Sequence, residues 1–570
     1  MFSNEVCLTS DPKTKFELID RTIALGLVFA FSALYWLGRS TTFGAGDSPQ
    51  HVLSAITWGV SWPPSYPLYV LIGHIVSKFP GSPAGNVNWL SGLLHAASYG
   101  LFFLTLRRCR IQRLPGTIAV VALGLSPLFW YYSLNAEVRA LNDLLAVAAA
   151  YFAIGWINDH DHGDLAAMAI AVGLGTSHHP TYLLIVPALI ALTWPTITLK
   201  RLGAFILIAV GTLAVPYVIL GLRVAYGHPA YDLVGVSRFT DVIDLFLRKD
   251  LGGPFRVVAG QGILSGGFDT AWLLTYMKWF VSALTTTSAP VVLSLSAFGF
   301  AWCCMFDRRS AAFWGLWLLV SAFTFIVLGS QQLHLHDPDF AYSIAARFYL
   351  LPTIPLYAFV AYGADVVVRH FGVRAGQLLL VIVIAIPILL DPVTLRHKDV
   401  VYEYTQEMIS ETGPTDMIIL DTDATFFALS YLDLVEHRLE DRALVMPSLF
   451  YFPPYREWLQ RRYPTLKVPP VESMMDWASW RTLNPTRKLY GEMELQDSLQ
   501  AVYPYSEPAG ALIRACEGPA PCVDRDLALR RLERLRDEMP ATALYPFSPD
   551  IYVPRHLSRL LGWSVTLARQ

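Results

Sequence analysis

Gly46-Asp47-Ser48-Pro49, followed by the turn Trp62-Pro63-Pro64-Ser65-Tyr66-Pro67-Leu68-Tyr69, lies between two long apolar stretches, 21–38 and 87–106. Roughly 20 apolar residues cross the hydrocarbon core of a bilayer as a helix. Residues 39–86 therefore read as a loop between a first and a second membrane span, with Asp47 just outside the first. An ionisable group at the membrane edge is costly to keep, which makes Asp47 a functional candidate. The same residues also read as a helix start, with Asp47 or Ser48 as N-cap and Pro49 in the first turn. Val52, Ile56 and Val60 then mark one apolar face of an interfacial helix.

Working outward, further spans are expected at 114–133, 140–157, 165–177, 181–196, 202–222, 283–305, 311–328, 347–368 and 375–391, about eleven in all. Composition agrees, with 54% hydrophobic against 15% charged residues, where soluble domains carry about 25% charged. A net charge of -2 argues against nucleic acid as a partner. The first apolar run has no cleavage signal behind it and reads as a retained span. The predicted fold class is thus an α-helical polytopic membrane protein, with a transmembrane domain over 1–392 and a soluble α/β domain over 393–570.

Basic loops fix the orientation. Arg107, Arg108, Arg110 and Arg113, then Lys200 and Arg201, Arg308 and Arg309, and Arg369 and Arg374 alternate onto one side, expected to be cytoplasmic. The loops 39–86, 223–282 and 329–346 and the tail then fall on the outer side, with amphipathic helices expected at 241–249 and 269–282. The expected setting is a bacterial inner membrane with the tail in the periplasm. Cys516 and Cys522 stand six residues apart in that tail, as a disulfide or as two free thiols. In the tail, strands are predicted at Met417–Leu420 and Ala443–Met446, and helices at 425–437, 453–462 and 524–538. Asp421-Thr422-Asp423 reads as a strand-end turn.

Other polar groups fall on the same outer side. Glu137-Val138-Arg139-Ala140-Leu141-Asn142 reads as a substrate-binding stretch or as a helix start with Glu137 near the positive end of the dipole. His178 and His179 diverge on a helix, so one of them lining a cavity is a better functional reading than shared metal binding. His334, His336, Asp337 and Asp339 form a weak ligand set for a divalent cation. Arg347, at the head of its span, suits a lipid phosphate or an interfacial anchor.

Taken together, Gly46-Asp47-Ser48, the Pro63–Tyr69 turn, Asn88-Trp89-Leu90-Ser91 and Glu137–Asn142 resemble a bacterial membrane family related to a eukaryotic protein O-mannosyltransferase. That family belongs with the GT-C glycosyltransferases, which use polyprenyl-phosphate sugars. Weaker resemblances lie at His178-His179 and Arg347-Phe348-Tyr349, and loosely at 421–431. The chain departs from the family pattern at Trp62 and Ser65, where His and Gly are usual, and at Arg139, where Tyr is usual. The resemblance implies a membrane enzyme that moves a sugar, mannose at family level, from a polyprenyl-phosphate donor to a hydroxyl of a protein or glycan. It implies that Asp47 takes the hydroxyl proton, that Arg347 or Arg139 stabilises the leaving phosphate, and that Tyr66, Glu137, Asn142, His178 and His179 hold substrate. Two other readings stand beside it: a flippase for lipid-linked glycans, and an assembly protein whose tail binds a partner. A flippase is expected to show a repeat between halves and helices broken at the midplane, and the sequence has neither.

Overall fold

The computed structural model describes residues 18–249, 270–287, 290–332, 338–390, 399–450, 452–473, 475–538 and 552–568. In chain order the helical region comprises α1 (Leu18–Gly38), α2 (Ser48–Thr57), α3 (Pro67–Ser77), α4 (Pro83–Arg108), α5 (Arg113–Gly124), α6 (Pro127–Leu134), α7 (Arg139–Asp159), α8 (His162–His178), α9 (Val186–Thr193) and α10 (Leu199–Ala225). It continues with α11 (Phe239–Phe246), α12 (Thr270–Thr287), α13 (Pro290–Phe306), α14 (Arg308–Gln332), α15 (Pro338–Ala346), α16 (Leu350–Phe371) and α17 (Val373–Leu390). Six helical segments among the described residues are long and apolar enough to cross a membrane, or seven if the bent pair α5–α6 counts as one. The chain is an integral membrane protein. Shorter apolar helices cover Pro67–Ser77, Pro180–Thr196, Pro290–Phe306 and Val373–Pro387, and the expectation of eleven spans counted three of these regions.

A proline accounts for one departure from the predicted spans. The stretch expected as one span at 114–133 is two helices bent by 61°, because Pro127 opens a new helix at α6. The span expected at 283–305 takes in the end of α12 and most of α13, with 288–289 outside the described residues. The loop expected at 329–346 contains the end of α14 and all of α15. Packing divides the helices in two sets. Helices α4, α7 and α16 are mostly buried, while α1, α10 and α14 turn most of their length to lipid.

The basic end is held by ion pairs. Asp20 at the head of α1 accepts from Arg107 Nε at 3.0 Å and Arg113 Nε at 2.8 Å. Arg108 reaches Asp164 on α8 at 3.2 Å, and Asp365 near the end of α16 accepts from Arg369 Nε and from the Gln112 backbone N–H.

The tail packs helices around a five-stranded sheet of order β2-β1-β3-β5-β4, built from β1 (Met417–Ile419), β2 (Ala443–Val445), β3 (Leu489–Gly491), β4 (Glu507–Pro508) and β5 (Ile513–Arg514). β1 pairs in parallel with β2 and β3, and the β3–β5 and β4–β5 pairs are antiparallel. Helices α18 (Val400–Glu411) and α19 (Asp423–Leu434) flank it, and Cys516 is disulfide-bonded to Cys522. The domain docks on the first loop. Thr41 Oγ1 donates to Asp399 at 2.8 Å, and α2 shares one apolar core with α19. Within the helical region Val60 N–H donates to the Tyr231 carbonyl at 2.9 Å, and the Tyr231 ring meets Phe427 of α19 edge-on with centres 6.4 Å apart.

Candidate functional site at the seam between membrane and soluble domains

Asp47 sits where a helix cap would be. It precedes α2, and Pro49 occupies the first turn, yet its side chain makes no capping hydrogen bond. Gly46, at φ 65°, takes the left-handed conformation that turns the chain there without a Cβ clash. The Asp47 carboxylate is thereby freed from the helix and forms an ion pair with Arg347 Nη1 at 2.5 Å, across 300 residues of sequence. Burial pushes the Asp47 carboxyl up, but the Arg347 charge outweighs it, helped by His51 and Arg139, and holds it below the usual carboxylate range.

The pair opens onto a cavity of about 260 Å³. The first loop contributes Asp47, Gln50, Trp62, Pro63 and Tyr66; Leu184, Tyr276 of α12, and Phe325 and Leu328 of α14 add an apolar wall; and the tail supplies Asp423 and Phe427. Three guanidinium groups, Arg139, Arg248 and Arg347, line it. Phe348 serves two of them, with Arg139 Cζ at 3.9 Å and Arg347 Cζ at 5.7 Å from its ring centre. Among the described residues, the Nε atoms of all three are buried without a hydrogen-bond partner. Buried donors in native proteins are nearly always satisfied, so this cluster can take acceptor atoms from a bound molecule. The guanidinium fork suits phosphate or carboxylate oxygens.

Of the residues singled out in the sequence, Asp47, Tyr66, Arg139, His179 and Arg347 meet around this cavity. Tyr66 stacks on His179 with ring centres 5.7 Å apart and 8° between planes. Glu137, Asn142 and His178 stand behind the wall. Glu137 Oε1 accepts from the Arg139 backbone N–H at 3.1 Å, the helix-start role, and lies 3.8 Å from Arg139 Nε. His178 Nε2 is spent on the Val138 carbonyl at 2.7 Å, and Asn142 is buried within α7. His334, His336 and Asp337, and the side chain of Asp339, lie outside the described residues. Among the described residues no three His, Cys, Asp or Glu side chains come together as a metal site.

Sequence reasoning missed Arg248, Gln50, Asp423 and Phe427. Arg248 follows a short helix in a long loop, and no motif marks it. Asp421 and Thr422 follow β1 outside any element, but Asp423, expected in the same strand-end turn, is the first residue of α19 and lines the cavity.

Comparison with known proteins gives the following relatives. Residues 47–200 match the model of the protein O-mannosyl-transferase TMEM260 N-terminal domain. The protein O-mannosyl-transferase tmem260 of Dictyostelium discoideum is 21% identical over 314 residues, 50% of this chain and 37% of that protein. The protein O-mannosyl-transferase TMEM260 of Mus musculus is 37% identical over 120 residues, 20% of this chain and 17% of its own length. The chain thus spans well under half of the curated relatives it matches. Among solved structures, ArnT from Cupriavidus metallidurans, bound to undecaprenyl phosphate, superposes with a TM-score of 0.51 at 11% identity, covering 88% of this chain and 99% of that one. Residues 47–200 are therefore similar to the TMEM260 N-terminal domain, and the chain that holds them has a GT-C-like fold.

Proposed function

We propose that this chain is a membrane glycosyltransferase that moves a sugar from a polyprenyl-phosphate donor to an acceptor hydroxyl at the extracytoplasmic membrane surface. One observation carries the reading: the Asp47–Arg347 pair opens on a cavity with three guanidinium groups and an apolar wall. The arginines match the phosphate, the apolar wall matches the first isoprene units, and the side toward the soluble domain is left for the acceptor. Mannose is the sugar that the named relatives suggest, and a protein hydroxyl the acceptor. The setting consistent with the basic loops is a bacterial inner membrane with the soluble domain periplasmic.

A sugar attached to a lipid phosphate already carries a good leaving group. The bond between the anomeric carbon and the phosphate oxygen breaks as the hydroxyl oxygen attacks. Negative charge then grows on the phosphate, where Arg347, Arg139 and Arg248 stabilise it. The proton of the hydroxyl must pass to a carboxylate in the cavity.

The test is transfer in proteoliposomes from radiolabelled polyprenyl-phosphate mannose to a Ser/Thr-rich peptide, with release of free mannose read in parallel as transfer to water. Asp47→Asn is expected to lower the rate by about 10²–10⁴ while leaving folding intact. Wild-type-like transfer by that variant removes Asp47 from the site. Donor crossing the bilayer with no covalent transfer by the wild type overturns the enzyme reading in favour of a flippase.

A further inference from the structure

Resting on the glycosyltransferase reading for its effect on the donor, we propose that α11 is a lipid anchor: its exposed apolar row lies among the lipids of the outer leaflet, and that seat holds Arg248 in the cavity. Helix α11 has three sides. Val242 and Leu245 are buried against α10, in a cluster with Leu220 and Val224. Asp241 and Asp244 form a polar side: Asp241 accepts from the backbone N–H groups of Ser237 at 2.9 Å and Arg238 at 2.7 Å, and Asp244 pairs with Lys249. The third side is Phe239, Ile243 and Leu247, spaced four residues apart and therefore in one row. These three are 60%, 47% and 38% exposed.

The place of this row names its occupant. α11 lies beside the last turns of α10: Phe246 meets Tyr217 edge-on with ring centres 5.0 Å apart, and a Cβ added at Gly221 would come within 3.3 Å of the Phe239 ring. α10 is long and apolar enough to cross a membrane, and at this same level its Val218 and Leu222 are exposed. Lys200 and Arg201 stand at its opposite end. Aromatic and basic groups mark the headgroup level beside it: Arg223 Cζ is 5.1 Å from the Trp58 ring centre, Trp58 stacks on His74 with ring centres 5.3 Å apart, and Tyr226 is exposed. A short helix whose apolar row continues the lipid-facing surface of a span, with carboxylates on another side, fits the boundary between headgroups and acyl chains.

Arg248 follows α11 directly. Its backbone is left-handed, at φ 51°, a conformation uncommon for a residue with a side chain, and its N–H donates to the Leu245 carbonyl at 3.1 Å. From that turn its side chain joins Arg139 and Arg347 in lining the cavity. The seat of α11 thus sets the reach of Arg248. With α10 holding one side of the helix and lipid the other, a phosphate partner is fixed at the surface where a lipid-linked donor arrives.

The experiment places a photoreactive benzophenone side chain at position 243 or 244 of the full-length protein, in proteoliposomes of radiolabelled phosphatidylethanolamine. Light is expected to attach lipid strongly at 243 and weakly at 244. Equal labelling at both positions, or none at 243, overturns the lipid seat. The second arm uses the mannose donor and both readouts above. Ile243→Glu is expected to raise donor KM about tenfold with kcat changed by less than about threefold, as for Arg248→Gln, and Ile243→Met should behave as wild type. Combining Ile243→Glu with Arg248→Gln is expected to raise KM no further than either change alone, since both act through one group. A multiplicative rise, or a wild-type KM in Ile243→Glu, overturns the link to Arg248. If Ile243→Glu does not fold, the labelling contrast still decides the lipid seat. A wild type silent in both transfer readouts overturns the enzyme reading, and the labelling then judges the anchor by itself.

Discussion

The two ends of the helical domain use arginine in opposite ways. At the basic end, the Nε atoms of Arg107, Arg113 and Arg369 each donate to a carboxylate, Asp20 or Asp365. At the cavity end, the Nε atoms of Arg139, Arg248 and Arg347 are buried and unmatched among the described residues. The first arrangement ties helix termini together and is complete by itself. The second carries a cost of unsatisfied burial that a phosphate ligand would offset. The difference separates guanidinium groups whose Nε donors are taken up by carboxylates from groups that keep an unbonded Nε donor among the described residues.

Substitutions at the two ends should therefore separate activity from stability. The largest effect is expected for Arg347→Gln, which removes both a phosphate partner and the counter-ion of Asp47. Transfer should fall by about 10²–10³, and the Asp47 carboxyl should titrate at higher pH, since the arginine charge is what holds it down. A rate within threefold of wild type would show the pair to be structural, like those at the far end. Next come Arg139→Gln and Arg248→Gln, each expected to raise donor KM about tenfold with kcat less affected, about 1.4 kcal/mol in binding. A matched rise for a donor lacking the phosphate would exclude phosphate as their partner. The smallest effect on transfer is expected from Asp20→Asn, where stability should drop by about 1–3 kcal/mol in a detergent melt while kcat and KM stay unchanged. A fall in kcat there would join the two ends functionally.

Much of the fold was legible because lipid imposes a simple length and hydropathy rule. The long apolar runs at 21–38, 87–106 and 202–222 follow from it. The rule fails where proline resets a helix inside an apolar run, as at Pro127. In the tail the predicted helices at 425–437, 453–462 and 524–538 correspond to Asp423–Leu434, Pro453–Arg462 and Arg525–Glu538. The strands β3, β4 and β5 were not foreseen, being two or three residues long and too short for a periodic signal. The site was half legible. Asp47 and Arg347 stand out as charges at membrane edges, but their pairing joins positions 300 residues apart. Asp423 and Arg248 carry no local mark, since the docking of one domain on another puts them in place.

That wide spacing has a consequence for how the protein is made. The cavity draws on residues from Asp47 to Phe427, so its halves leave the ribosome far apart in time. Arg347 is made 300 residues after Asp47, so the first loop waits through most of translation for its counter-charge. The cavity is complete only when α19 has packed against α2. A chain arrested midway holds the first loop but no chamber.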